Sequence, residues 1–416
     1  MTKPESLGFS SERLARIAPF LDERYIKPGK LPCAQVQVWR RGKLAYDTTL
    51  GLADRERGTP LKADSIFRIY SMTKPVTSVA FMMLVEEGKV ALDEPVAKYI
   101  PEWAGLGVFA AGTDAGWAMT PPARPMQIID LLRHTSGLTY GFQVQGNVDA
   151  AYRKLKVAED LRYGTLDEFI AKLATIPLNF SPGEAWNYSV STDVLGYLVG
   201  KISGVPFDRF LRERIFEPLG MVDTAFTVPA DKAHRLTACY AAGVLGSKAV
   251  AAGPPKLQDD PAESPYLAET GFHSGGGGLV STAADYMRFA RMLLNGGELD
   301  GHRLLGPKTL RLMTANHLPG GKDLTQMATK SQFSEATYAG VGFGLGFGVT
   351  VDPPATMLAG SKGDFFWGGA ASTFFWVDPV EDLAVVFLTQ LLPSSAYPVR
   401  RELRTLVYAA LTECGS

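Results

Sequence analysis

Cysteine and histidine are scarce in this chain. Its three cysteines, Cys33, Cys239 and Cys414, form no C-x-x-C pair, which argues against a disulfide framework or a zinc site and fits a reduced, cytoplasmic setting. Five histidines, at 134, 234, 273, 302 and 317, stand singly, with no H-E-x-x-H and no H-x-H. No local spacing therefore supports a metal site or a Ser-His-Asp triad. His134, after a helical stretch, reads as a residue that stabilises a turn. None of the 22 serines lies in G-x-S-x-G, so the nucleophile elbow of the α/β-hydrolases is absent. A charge bias is lacking too: 42 Lys+Arg stand against 43 Asp+Glu, which leaves no basic surface for nucleic acid. The longest apolar stretch, around Val79–Val85, is far short of the roughly 20 residues of a membrane span. The N-terminus shows no apolar segment with a small-residue cleavage site, so neither a membrane partner nor a signal peptide is expected.

What is present is a globular composition, 46% hydrophobic over 416 residues, enough for a large core and two domains. Helical periodicity runs from Ser11 to about Tyr25. The strand-like runs Cys33–Arg40 and Lys43–Leu50 follow, joined by the hairpin signal Arg41-Gly42. A long apolar helix is expected from Ser71 to about Glu87. Between about 92 and 221 the periodic segments are helical, at 125–133, 165–175, 191–202 and 206–216, with loop-like interruptions at 109–124 and 179–184. Residues 222–270 are irregular. Thr282 and Asp285 cap a helix through Met292. Segments 341–351, 364–377 and 382–389 read as strands, and 396–412 as a closing helix. The expectation is an α/β (α+β) protein. A discontinuous domain, 1–90 with 270–416, carries an antiparallel sheet flanked by terminal helices, and a mainly helical domain, 91–269, is inserted, with the active site at their interface.

The positive chemical signal is Ser71-Met72-Thr73-Lys74, the only S-x-x-K in the sequence. A chain of this composition holds about one by chance, so its setting decides its weight. Strand-like residues precede it, Pro75 suits a first helical turn, and an apolar helix follows. Positions i and i+3 share a face there, which lets Lys74 Nζ reach Ser71 Oγ. A desolvated lysine can lose its charge and act as base to the serine, and the unsatisfied N–H groups of the first turn can face an oxyanion. A second candidate is Tyr188 in Asn187-Tyr-Ser-Val-Ser191, a phenol able to relay a proton; ordinary core packing and an N-cap at Ser191 would explain the same residues. A third is Phe365-Phe366-Trp367-Gly368-Gly369-Ala370-Ala371, where two adjacent glycines in a strand signal a close approach, by a ligand, or else a bulge or tight packing. Gly275–Gly278 lacks dinucleotide-loop spacing and reads as a flexible or close-approach loop.

In this order, Ile66-Phe-Arg-Ile-Tyr-Ser-Met-Thr-Lys-Pro75, Leu131-Leu-Arg-His-Thr-Ser-Gly-Leu138, Tyr188-Ser-Val190, Gly275-Gly-Gly-Gly-Leu-Val-Ser-Thr-Ala283 and Trp367-Gly-Gly369 resemble the serine β-lactamase and penicillin-binding-protein superfamily. The chain is most similar to its β-lactamase-like (family VIII) carboxylesterases and related acyltransferases. The resemblance runs from about Phe9 to Tyr408 and implies a β-lactamase-like fold. It also implies Ser71 as nucleophile, Lys74 as general base, Tyr188 as its proton-transfer partner, and the Ser71 and Ala370 N–H groups as oxyanion hole. It implies no metal or organic cofactor.

Two departures from the lactamase pattern bear on substrate. Val190 stands where Y-x-N has an asparagine, and Trp367 where a lactamase has a cation or histidine. Losing one charge-assisted contact removes about 1.5–3 kcal/mol of recognition, while an indole offers an apolar wall. Trp367, Gly368, Gly369 and Val190 are thus the expected substrate-binding residues, for a small neutral ester of short to medium acyl chain. The rivals are acyl transfer at the same site, weak β-lactamase or D-amino peptidase activity, and a silent binding module. Choice of acceptor is expected to lie in loops around 140–150, 240–270 and 320–340. Oligomeric state is not legible in the sequence.

Overall fold

The computed structural model describes residues 2–144, 146–158, 164–243, 250, 253–329 and 339–415. The chain first forms strands β1 (Cys33–Arg40), β2 (Lys43–Asp54) and β3 (Thr59–Pro60), and later a hairpin of β4 (Val108–Thr113) and β5 (Gly116–Thr120). Strands β6 (Val341–Phe343), β7 (Gly348–Thr350), β8 (Phe365–Gly368), β9 (Phe374–Asp378) and β10 (Leu383–Leu388) come last. Eight of them build one antiparallel sheet in the order β6-β7-β8-β9-β10-β1-β2-β3. Arg41 and Gly42 both take positive φ, +50° and +72°, as a two-residue hairpin turn requires.

Both faces of the sheet are covered, which explains the unbroken apolar runs of β9 and β10. Phe374, Trp376, Val385 and Phe387 pack with Leu14, Ile17 and Leu21 of the N-terminal segment and with Val399, Leu403 and Val407. Phe375, Val377, Ala384 and Val386 alternate to the other face and join the larger cluster. Five helices matter for the site: α1 (Thr73–Glu86), α2 (Ile128–Leu132), α3 (Ser191–Ser203), α4 (Ala283–Leu294) and α5 (Val399–Ala409). In α1 every side chain from Thr73 to Leu84 is buried, so this helix is apolar all round and runs through the core. It packs against α3. Thr282 caps α4 by accepting from the Asp285 N–H at 3.1 Å.

Four sequence expectations need correction. The run 364–377 is two strands, because a tight turn at 369–373, with Ser372 at φ +68°, folds β9 back on β8. Segment 341–351 divides likewise where Gly344 N–H donates to the Phe347 carbonyl at 2.8 Å and Gly346 takes φ +101°. The single helix expected over Ser11–Tyr25 is broken into Ser11–Leu14, Ile17–Leu21 and a wider turn at Asp22–Ile26. Pro19 has no N–H to offer the Ala15 carbonyl, so the ladder stops there. The interruption expected over 109–124 contains the β4–β5 hairpin, which polar and small residues concealed. Tyr240 and Ala241 pair in parallel with Leu391 and Leu392. Among the described residues no helix is long and apolar enough to cross a membrane.

Candidate active site

Ser71 sits in a single 3-10 turn, Tyr70–Met72, that leads directly into α1. Tyr70, immediately before it, holds φ +43°, a left-handed conformation that costs a bulky L residue energy and concentrates at functional sites. Met72 N–H donates to the Ile69 carbonyl at 3.1 Å and closes the turn. Ser71 keeps partial exposure while Lys74, one turn on, is only 2% exposed.

Lys74 Nζ lies 3.3 Å from Ser71 Oγ, 3.0 Å from the Tyr140 hydroxyl and 2.6 Å from the Gly276 carbonyl. Three acceptors match the three protons of an ammonium; with one proton gone, the lone pair is left for a hydroxyl. Burial pushes the Lys74 ammonium down from 10.5 to about 7, with the Asp193 charge pulling the other way. At that value an appreciable neutral fraction exists near neutrality.

Tyr188 is brought to the same point from the segment before α3. Its ring centroid is 4.5 Å from Lys74 Nζ, and its hydroxyl is hydrogen-bonded to Ser71. The Trp367 indole N–H, at the end of β8, also donates to that hydroxyl at 3.4 Å. Burial raises the Tyr188 phenol well above the ordinary 10, against the smaller lowering by these two hydrogen bonds. The ring is caged by His134 at 5.0 Å, Trp367 at 5.5 Å, Tyr140 at 5.5 Å and Trp186 at 6.2 Å between centroids, and Gln143 Nε2 donates to the Tyr188 carbonyl at 2.8 Å.

Sequence reasoning brought together Ser71, Lys74, Tyr188 and Trp367, and the structure places all four within one cluster. Trp367 is 6% exposed, and its ring meets Tyr188 and Phe343. Val190 is 0% exposed and forms the start of α3, so it presents no surface to a substrate in this arrangement. Ala370 lies in the 369–373 turn rather than in the strand. The twin glycines answer to packing: a Cβ on Gly369 would stand 2.3 Å from the Ile69 carbonyl oxygen, and one on Gly368 2.7 Å from Arg400 Cζ. Gly275 and Gly276 are also close-approach residues, where a Cβ would meet Thr192 O at 2.6 Å and Asp193 Oδ2 at 2.5 Å. Parts of the loops expected to choose the acceptor (145, 244–249, 251–252 and 330–338) lie outside the described residues.

Two contributors went unnoticed in the sequence, and a third, His134, reads there only as a turn residue. Tyr140, six residues after His134, stacks on Phe142 at 4.7 Å and reaches Lys74. Asp193 reads as an ordinary acid in a first helical turn, yet it is fully buried; its carboxylate accepts from Ser274 Oγ at 2.5 Å and from the Gly276 N–H at 3.0 Å. His134 does turn the chain, at φ +57°; it also shares a hydrogen bond with Ser189 Oγ at 3.2 Å, and burial holds its pKa well below 6.5. No motif marks Tyr140 or Asp193, whereas His134 lies within the run Leu131–Leu138. Among the described residues no three His, Cys, Asp or Glu side chains are grouped as a metal would need.

This sequence and its sheet-and-helix frame have known counterparts. Protein Rv1367c of Mycobacterium tuberculosis (strain ATCC 25618 / H37Rv) is 38% identical over 88% of this chain and 87% of its own. Esterase EstB of Burkholderia gladioli is 30% identical over 98% of each. The solved structure of EstCE1, described as a hydrolase with promiscuous acyltransferase activity, superposes with a TM-score of 0.77 at 25% identity, covering 95% of this chain and 99% of that one. The Beta-lactamase family model matches residues 21–409. That span takes in the serine turn, the caged tyrosine and the glycine turn alike, and the chain belongs to the beta-lactamase family.

Proposed function

We propose that this protein is a carboxylesterase that works through an acyl-enzyme on Ser71. The observation that carries the reading is Lys74: a buried amine, 3.3 Å from Ser71 Oγ, with its pKa brought down to about 7. A base of that strength near a hydroxyl suits proton transfer at neutral pH. Lys74 takes the Ser71 proton as Ser71 Oγ attacks the ester carbonyl carbon. The Ser71 and Ala370 N–H groups receive the oxyanion. As the tetrahedral intermediate collapses, Tyr188 gives its proton to the departing alkoxide and regains one from Lys74. Water then attacks the acyl carbon under the same base and frees Ser71.

The apolar setting favours a neutral ester over an anionic lactam. Trp367 offers no cation to a substrate carboxylate. The esterase name of the EstB relative agrees with this. Acyl transfer to an alcohol is the second reading, favoured by the description of EstCE1; it differs only in what attacks the acyl-enzyme.

The test is hydrolysis of p-nitrophenyl esters from C2 to C12 beside a chromogenic cephalosporin, with and without an added acceptor alcohol. Fast ester turnover that is lost in Ser71→Ala is the expected result. Turnover surviving in Ser71→Ala would reject the reading, and faster lactam than ester cleavage would reassign the substrate.

A further inference from the structure

Arg400 enters the 369–373 turn from the first turn of α5. Its Nη2 donates to the Gly369 carbonyl at 2.5 Å and to the Thr373 carbonyl at 2.9 Å. Gly369 N–H donates to that same Thr373 oxygen at 2.8 Å, and Ser372 N–H to the Gly369 oxygen at 3.1 Å. Gly368 is what admits the guanidinium, since a Cβ there would stand 2.7 Å from Cζ and 2.8 Å from both Nη atoms.

The bonded carbonyl belongs to the peptide whose other end is the Ala370 N–H. Among the described residues the one cis bond is Leu392–Pro393, so the Gly369–Ala370 peptide is trans, and its N–H points opposite its C=O. A cation gripping the oxygen therefore directs the N–H away from itself, and a charge-assisted bond at the oxygen polarises the N–H as a donor. Arg400 also sits close enough for its charge to lower the Tyr188 phenol. We infer that Arg400 is a positioning residue for the oxyanion hole, which fixes and polarises the Gly369–Ala370 peptide from the C-terminal helix. This inference rests on the role proposed above for Ala370.

The test compares wild type, Arg400→Met and Arg400→Lys on neutral p-nitrophenyl butyrate and with a phenylboronic acid, whose tetrahedral serine adduct places an oxygen in the same hole. Arg400→Met should lower kcat by about 10- to 100-fold, less than the 10²–10³ typical of deleting an oxyanion donor outright, because Ser372 N–H still holds the Gly369 oxygen. KM should stay near wild type, boronate affinity should fall in step with kcat, and Arg400→Lys should recover part of both. An unchanged kcat and boronate affinity overturns the inference. So does a rise in KM alone on an anionic ester, which would make Arg400 a substrate anchor. If Arg400→Met does not fold, Arg400→Gln carries the test, since both bonds leave the one Nη2 atom and a shorter, neutral amide supplies neither its reach nor its charge; wild-type kcat in that variant rejects the idea. Ser71→Ala separates the layers: turnover persisting there rejects the serine reading itself, whereas turnover lost there but intact in Arg400→Met rejects only the role of Arg400.

Discussion

Asp193 and Lys74 are joined through one residue. The Asp193 carboxylate accepts the Gly276 N–H at 3.0 Å, and the Gly276 carbonyl accepts from Lys74 Nζ at 2.6 Å. Burial drives the ammonium towards neutrality while the buried carboxylate holds it back, and the balance falls at about 7. An ordinary lysine at pH 7 would be protonated by about three orders of magnitude and useless as a base. On the proposed mechanism, the surroundings of Lys74 therefore set the working pH of the site.

The first expectation follows from that value. Lys74 must be neutral to accept the Ser71 proton, so kcat/KM should rise with pH along a limb centred near 7. No falling limb from Tyr188 is expected below pH 10, because burial pushes its phenol upwards. The same shift affects stability with a definite sign. The folded state holds Lys74 below its unfolded value of 10.5, so the unfolded chain binds more protons between about 7 and 10.5, and this group's contribution to stability rises with pH across that window. A pH–rate profile on a neutral ester checks the first statement. A flat profile from pH 6 to 8 would remove Lys74 as the base.

Asp193→Asn should move the rising limb to lower pH. The carboxylate favours the ammonium, and removing its charge leaves burial less opposed. The amide oxygen can still accept from Gly276 N–H and Ser274 Oγ, so the local fold should persist. The same profile measured on the variant decides it: a limb displaced upwards, or unmoved, would mean that Asp193 acts only as a tether for the 274–276 segment.

Much of the frame was legible because local chemistry and tertiary packing agree in it. Cys33–Arg40 is a strand, the residues from Thr73 form a long apolar helix, and Thr282 caps α4, each as the pattern dictates. Ser71 and Lys74 were legible because i and i+3 meet on any helical turn. The misses share a cause. Tyr140 and Asp193 reach Lys74 from distant loops and helices, separated from it by 66 and 119 positions in the chain, and nothing local records that they converge. The glycines of Trp367-Gly-Gly369 signalled a close approach without saying what approaches; the answer, Ile69 and Arg400, comes from two other parts of the chain. The run 364–377 hides its turn among the small residues of Gly368-Gly-Ala-Ala-Ser372, because strands covered on both faces lose the alternation that would have marked their ends.

The two phenols at Lys74 should separate by mutation. Tyr188→Phe removes the hydroxyl bonded to Ser71, the group placed to protonate the leaving alkoxide, and should cost about 10²–10⁴ in kcat. Tyr140→Phe removes one of three acceptors for the ammonium. It should cost far less, about tenfold, and should shift the rising pH limb downwards, because the charged form loses a partner. Steady-state rates and pH profiles for both variants test the distinction. Equal losses in kcat would make Tyr140 a partner in proton transfer, and a loss confined to Tyr140→Phe would exchange the two roles.

Stability should prove separable from chemistry at Arg40. This fully buried guanidinium donates to the carbonyls of Leu7, Gly8, Glu381 and Glu413 and to the Glu381 carboxylate at 2.8 Å, and so ties both chain ends to β1. Arg40→Met would take the guanidinium from four carbonyls and from the largely buried Glu381 carboxylate, which would keep the Gly415 N–H at 2.9 Å but lose its ion pair. Breaking a buried pair by removing one partner costs about 3–5 kcal/mol, which should appear as a lower denaturant midpoint and Tm. Among the described residues the hydrogen-bond partners of Arg40 are none of those of Lys74, so kcat on a neutral ester at 25 °C should remain that of the wild type. A variant that keeps its midpoint would show that the clamp adds little to the fold. One that stays folded but loses kcat would show that the chain ends are coupled to the site through β1.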